Sequence, residues 1–270
     1  MRNNAMAKKT KYMLAEGIKF VAPAFQFDFE HNGKNDIIEL NGGLKTSALF
    51  DNTYFFQYEF GADVSSNTRS EFIHALKFNQ HILGKENIDK FIAKALVNLN
   101  KAINLSTVDV VIYPQSSSTL TKDIVNMIDY FTDADKYTKV EVVKKQISEI
   151  NFNWDKFEKY CDVKNIPINI RQVMRNKMEK MLNDIHSLEY FSIARNIKDQ
   201  KYKKFLKNVY KFYDEKTIAL LQSIKDKKIL VVDDIYTSGT TIEQIIKAYQ
   251  MLNPDDSNVL TIFTLIGKSK

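Results

Sequence analysis

The sequence predicts an α/β protein: a mainly parallel sheet flanked by helices, interrupted by a helical insertion. Three observations carry that expectation. Short aliphatic runs alternate with amphipathic helical stretches, as in "VDVVIYP", then "KDIVNMIDYF", then "KVEVVKK". An aliphatic run, Ile229 to Val232, leads through Asp233 and Asp234 and the turn "TSGTT" into the helical pattern "TTIEQIIKAYQML". Between these regions, residues 148–225 show almost nothing but helical periodicity and loops.

Taken in order, residues 1–67 form a β-rich amino-terminal segment expected to pack on the core. It contains "NDIIEL", a turn at "NGG", and the aromatic run "TYFFQYEFG". Residues 68–147 supply the first part of the core. Helices are predicted at "RSEFIHALKFN" and "NIDKFIAKALVNLNKAI", a strand over Val108–Pro114, the polar turn "QSSSTLT", a further helix, and a strand over Lys139–Lys145. Residues 148–225 read as a helical insertion or hood. It includes "IRQVMRNKMEKMLNDI" and the lysine-rich stretch Lys198–Lys216, where Tyr202, Phe205, Val209 and Phe212 follow helical spacing and lysines fill a solvated face. Residues 226–270 return to the sheet with strand "KILVVDD", the helix after Thr240, and the last strand "NVLTIFTLIGK". The alternation argues for right-handed parallel crossovers.

With 270 residues, 44% of them hydrophobic and 27% charged, the chain can bury a substantial core. No apolar run approaches the roughly 20 residues that span a bilayer. The basic start "MRNNAMAKKTKY" lacks the apolar centre of a secretory leader, so a cytoplasmic location is the expectation. Cys161 is the only cysteine, which excludes an intrachain disulfide and a cysteine zinc cage. A net charge of +6 suits an anionic ligand. The lysines are dispersed and no helix-turn-helix signature stands out, so nucleic acid is not the favoured partner.

The stretch from Ile229 to Thr241 carries the chemistry. Carboxylates at the carboxyl end of a parallel strand stand where α/β proteins bind ligands. Ionised Asp233 and Asp234 can accept hydrogen bonds from vicinal hydroxyls. Amides in a tight turn at a helix N-terminus can cradle a phosphate, with Gly239 permitting close approach and Thr237, Ser238, Thr240 and Thr241 adding hydroxyls. The plainer alternative is that the acids end a strand and the threonines cap a helix. The whole run "VVDDIYTSGTT", with its strand before and helix after, resembles the phosphoribosyl pyrophosphate (PRPP) motif of type I phosphoribosyltransferases. The resemblance implies that Asp233 and Asp234 hold the ribose and that Thr237–Thr241 hold its 5-phosphate. It further implies transfer of ribose 5-phosphate to a nitrogen nucleophile with release of pyrophosphate. Purine-using members often carry an acid at the position of Thr237, so acid-assisted purine chemistry is in doubt here.

That family also grips pyrophosphate with a loop after an early core strand. In "VVIYPQSSSTLTKDI" the resemblance implies this role for Ser116, Ser117 and Ser118, with Lys122 one turn on and Lys144, Lys145 or Arg195 as further cations. Magnesium, held mainly by PRPP itself, is the implied cofactor, and no dedicated protein cage is expected. "RSEFIHALKFN" and "YPQSSSTL" loosely resemble the competence-protein F family of phosphoribosyltransferases, without the amino-terminal zinc finger of many members. Trp154, Phe157, Tyr190 and Phe191 either stack on an acceptor base or form the core of the hood. His74 and His186 read as structural. Two other functions stay open: a non-catalytic PRPP-binding regulator, and an enzyme using a related sugar-phosphate donor. The acceptor is unidentified, and the aromatic amino-terminal strands leave a homodimer open.

Overall fold

A computed structural model describes residues 18–267, apart from 22–23, 28–36, 39, 42, 61–63, 79, 117, 133–136, 190, 192, 198, 208, 213 and 255–256. At the amino end, β1 (Ile18–Val21), β2 (Ala24–Phe27) and β3 (Ile37–Ile38) make a small antiparallel sheet. The main sheet begins with β4 (Leu40–Asn41), β5 (Lys45–Leu49) and β6 (Asn52–Phe60), the last two an antiparallel hairpin. Next come α1 (Ser66–Phe78), α2 (Gln80–Leu83) and α3 (Lys85–Ile103). In α3, Ile88, Phe91, Ile92, Ala95, Leu96 and Leu99 recur at helical spacing and are all buried, forming the apolar stripe that holds it to the sheet. Then follow β7 (Val110–Pro114), α4 (Leu120–Ile128) and β8 (Thr138–Lys144).

The segment after β8 holds β9 (Asn151–Phe152), α5 (Trp154–Val163), α6 (Ile168–His186), α7 (Ile193–Asn196), α8 (Gln200–Lys203), β10 (Leu206–Lys207), β11 (Tyr210–Phe212) and α9 (Glu215–Ser223). The chain closes with β12 (Lys228–Ile235), α10 (Thr240–Leu252) and β13 (Val259–Gly267).

The main sheet runs β11-β8-β7-β12-β13-β6-β4, with β5 also on β6. From β8 to β6 every pairing is parallel, and the flanking pairings of β11, β4 and β5 are antiparallel. The expected α/β class with a mainly parallel sheet and flanking helices is what the chain adopts. β12 is buried along nearly its whole length, as a central parallel strand covered on both faces must be. Side chains alternate across it. Leu230 and Val232 join the core under α1, α3 and α4, while Ile229 and Val231 join the core under α10 and the inserted segment.

Two expectations need correction. The aromatic run of β6, expected in a segment that packs on the core, is a strand of the main sheet itself: it lies parallel to β13, and its centre is buried because both faces are covered. The stretch Lys198–Lys216 is not one solvated helix. It breaks into α8, β10 and β11, with β10 antiparallel to β9 and β11 forming the sheet edge against β8. Tyr202, Phe205, Val209 and Phe212 are indeed buried, but distant residues supply backbone partners along the stretch: the Phe205 and Val209 carbonyls accept from the amides of Asn153 and Lys145, and Phe212 pairs with Val142. The inserted segment is therefore helical with strands of its own.

Candidate active site

β7 and β12 are parallel neighbours, with Val231 beside Ile112. The two loops singled out in the sequence consequently open at the same carboxyl edge of the sheet. At the end of β12 the alternation of side chains separates the acid pair. Asp234 follows the face of Val232, toward α1. There Lys77, in the last turn of α1, places Nζ 2.7 Å from Asp234 Oδ1. Asp233 follows the opposite face and lines a pocket at the start of α10. Both acids are buried, and Asp233 Oδ1 accepts from the Asp234 amide at 2.9 Å. The other oxygen of Asp234, Oδ2, is buried with no hydrogen-bond partner among the described residues.

Burial, and then the charge of Asp234, push the Asp233 carboxyl up to about 7, against the opposing pull of Lys77. Lys77 is itself held above the ordinary lysine value: burial works against its charge, but Asp234 and Asp233 outweigh it. Lys77 belongs to "LKF", the end of the helix already quoted for its family resemblance, yet nothing in the sequence tied it to Asp234.

The turn that follows is built for close approach. Gly239 has φ 74° and ψ 1°, in the left-handed region, and a Cβ there would come 2.6 Å from Tyr236 Cε2. Tyr236 is buried, and its ring lies 5.4 Å from that of Tyr54. Gly239 is also the N-cap of α10, and no side chain caps the helix. Ser238 and Thr240 hydrogen-bond each other through their hydroxyls at 2.9 Å instead. Capping of the helix by these hydroxyls is thus not seen among the described residues, and the first amides of this 13-residue helix have no described side-chain partner. Thr237, Ser238, Gly239, Thr240 and Thr241 line a small pocket of ≈ 40 Å³ together with Asp233, Tyr236, Ile193 and Lys203. Lys203, from the inserted segment, is a site residue the sequence reading missed.

The serine loop stands between β7 and α4. Ser116 Oγ accepts from the Ser118 amide at 3.2 Å, Ser118 is buried, and Ser117 lies outside the described residues. α4 likewise has no side-chain cap hydrogen bond. Lys122 pairs with Glu141 at 3.1 Å. Lys144 ends β8 at the same sheet edge, and its Nζ donates to the Phe191 carbonyl at 2.9 Å, tying the sheet to the inserted segment. Lys145 lies 4.0 Å from Glu149. Arg195 falls in α7, its side chain outside the described residues. Among the aromatic candidates, Phe157 and Phe191 are buried in the core shared by the insertion and the sheet. Trp154 packs against that core with Arg175 Cζ 5.2 Å from its ring, and Tyr190 lies outside the described residues. His186 Nε2 bonds the Ile150 carbonyl at 2.8 Å, a structural tie, and His74 lies against Phe78.

Among the described residues no group of three His, Cys, Asp or Glu side chains is placed to hold a metal, and no helix is long and apolar enough to cross a membrane. No protein-family model and no curated protein matches the chain. One solved structure that resembles it is a hypoxanthine phosphoribosyltransferase from Staphylococcus aureus, with 14% identity and a TM-score of 0.32 over 68% of this chain and 64% of that one. The match thus spans less than two thirds of that enzyme, and the overlap is too loose to bear on function.

Proposed function

We propose that the chain is a type I phosphoribosyltransferase, transferring ribose 5-phosphate from PRPP to a nitrogen nucleophile. One observation carries this reading. A buried acid at the carboxyl end of a central parallel strand runs straight into a turn whose helix amides no side chain caps, beside an anion-sized pocket. A ribose 5-phosphate needs both halves: a carboxylate for its hydroxyls and cationic or amide donors for its phosphate.

In the reaction the bond from C1 of the ribose to the pyrophosphate oxygen breaks, and pyrophosphate leaves with the electron pair. The acceptor nitrogen forms the new bond to C1 and then loses a proton. Positive charge grows on the sugar as the leaving group departs, and the carboxylates of Asp233 and Asp234 stabilise it there. Lys77 fixes Asp234, so Asp233, facing the pocket, makes the direct ribose contacts. Amides and hydroxyls of Ser116 and Ser118, in the loop after the neighbouring strand, suit the leaving pyrophosphate. The Asp233 carboxylate, which lines the pocket, is a hard oxygen donor that would suit a magnesium ion carried in largely by the diphosphate, and the ion would there neutralise the charge of the diphosphate.

Calorimetric titration with PRPP and Mg²⁺ tests the assignment on the wild type beside Asp233→Asn and Asp233→Asn/Asp234→Asn. Saturable binding that the variants lose, followed by acceptor-dependent pyrophosphate release, is the expected result. Well-folded wild type that binds no PRPP overturns it. Binding without release for any base or amine would instead favour a regulatory role.

A further inference from the structure

Lys203 is buried to a relative exposure of 6%, yet its ammonium has no hydrogen bond or ion pair with any described residue. Lysine is almost never buried without a partner, because removing an ammonium from water is costly. Its neighbours behave differently. Lys201 pairs with Asp199 at 3.2 Å, and Lys204 lies over the ring of Tyr160. Lys203 instead is buried, as are Tyr202 and Phe205 near it in the chain. Burial pushes its ammonium below the ordinary lysine value.

Lys203 lines the pocket over the turn of Thr237–Thr241. It belongs to α8, and the first residues of α10, Thr240 and Thr241, line the same pocket. Two independent features, an unpartnered buried cation and a set of unused helix amides, therefore converge on one small cavity. A carboxylate would satisfy two or three of these donors. A phosphomonoester, with its two negative charges and three terminal oxygens, matches amides, hydroxyls and ammonium together.

We propose that Lys203 is a phosphate-binding residue, carried by the inserted segment, which completes the subsite for the phosphomonoester of the ligand from the side opposite the Thr237–Thr241 turn. The inference rests on the phosphate half of the function proposed above, and not on the ribose or the transfer step. It also gives the insertion a second task. Besides completing the core of the sheet, it supplies the counter-charge that holds the donor's phosphate.

The test is titration of ribose 5-phosphate, and of inorganic phosphate, into wild type, Lys203→Met, Lys203→Arg and Asp233→Asn, with thermal melting of each unliganded protein. Met keeps the aliphatic stem and removes the charge. Ribose 5-phosphate should bind Lys203→Met at least about tenfold more weakly, the loss expected for one charged hydrogen bond, and Lys203→Arg should retain most of the affinity. Lys203→Met should melt at or above the wild-type temperature, since it deletes an unpaired buried charge. Unchanged affinity in Lys203→Met, with Asp233→Asn impaired, overturns the role of Lys203 and leaves the proposed function standing. Phosphate binding that needs Lys203 while ribose adds nothing to it supports the subsite and overturns the PRPP reading. Wild type that binds neither ligand overturns both. A Lys203→Met protein that melts well below wild type overturns the inference in favour of a structural lysine.

Discussion

At the scale of single residues, the acid pair is asymmetric, and the asymmetry follows from strand geometry alone. Successive side chains on β12 face opposite sides, so one carboxylate reaches α1 and the other the pocket. Replacing Lys77 by Met leaves the Asp234 carboxylate buried without its cation. The expected loss is about 3 kcal/mol in urea denaturation, and Lys77→Met/Asp234→Asn should recover part of it, the coupling a double-mutant cycle reads. Asp233 gives a pH prediction. Its carboxyl is pushed up from an ordinary 3.8 to about 7 by burial first and by Asp234 second. Between those values the folded protein keeps a proton the unfolded chain has lost, so rising pH favours unfolding. Stability should fall as pH climbs from about 4 to about 7 and then level off, with the dependence flattened in Asp233→Asn; urea midpoints measured across that range decide it. None of this was visible in the bare "DD". The sequence located both acids, but Lys77 lies 157 positions before Asp234, and such a pairing becomes legible only once the sheet order is known.

At the scale of elements, the strand, turn and helix from Lys228 to Leu252 were readable because their signals are local. An aliphatic run, a glycine in a hydroxyl-rich turn and apolar positions at helical spacing all lie within one short window. Gly239 shows how tight that turn is. In Gly239→Ala the left-handed backbone costs about 1–2 kcal/mol, and the methyl group also collides with Tyr236, which is itself packed on Tyr54. Thermal melting should show the loss, and PRPP affinity should fall with it because the amides of the turn move. The stretch from Lys198 to Lys216 was misread for a complementary reason. Tyr202, Phe205, Val209 and Phe212 are spaced three, four and three apart, which fits a helix, and all of them are buried. What decides the backbone is elsewhere: Leu206 opposite Phe152, and Tyr210 opposite Lys144. Long-range pairing overrode local periodicity, and with the solvated helix went the view that its lysines all face water, which concealed Lys203.

At the scale of the whole molecule, the inserted segment is stitched to the sheet rather than hinged on it. Phe157, Cys161, Met178 and Phe205 share one core with Ile229, Val231 and Ile262 of the central strands. Polar ties cross the same boundary. Lys156 on α5 meets Glu243 on α10 at 2.8 Å, Gln244 donates to the Leu206 carbonyl at 2.8 Å, and β11 is an edge strand of the sheet itself. A hood with its own core would melt separately; one that completes the sheet's core cannot lose its packing without exposing the strands beneath. Trp154, the only tryptophan, sits in the inserted segment against that shared core and so reports on it alone, whereas far-ultraviolet circular dichroism reports on the entire chain. Urea unfolding followed by tryptophan fluorescence and by circular dichroism should therefore give coincident transitions, and saturating PRPP should move both midpoints upward together, because a ligand bound only by the folded state stabilises whatever unfolds as one unit. A fluorescence transition well below the circular dichroism transition would mean that the insertion comes away from the sheet first, and the pocket at the start of α10, which takes Ile193 and Lys203 from that segment, would then be assembled only when a ligand is present.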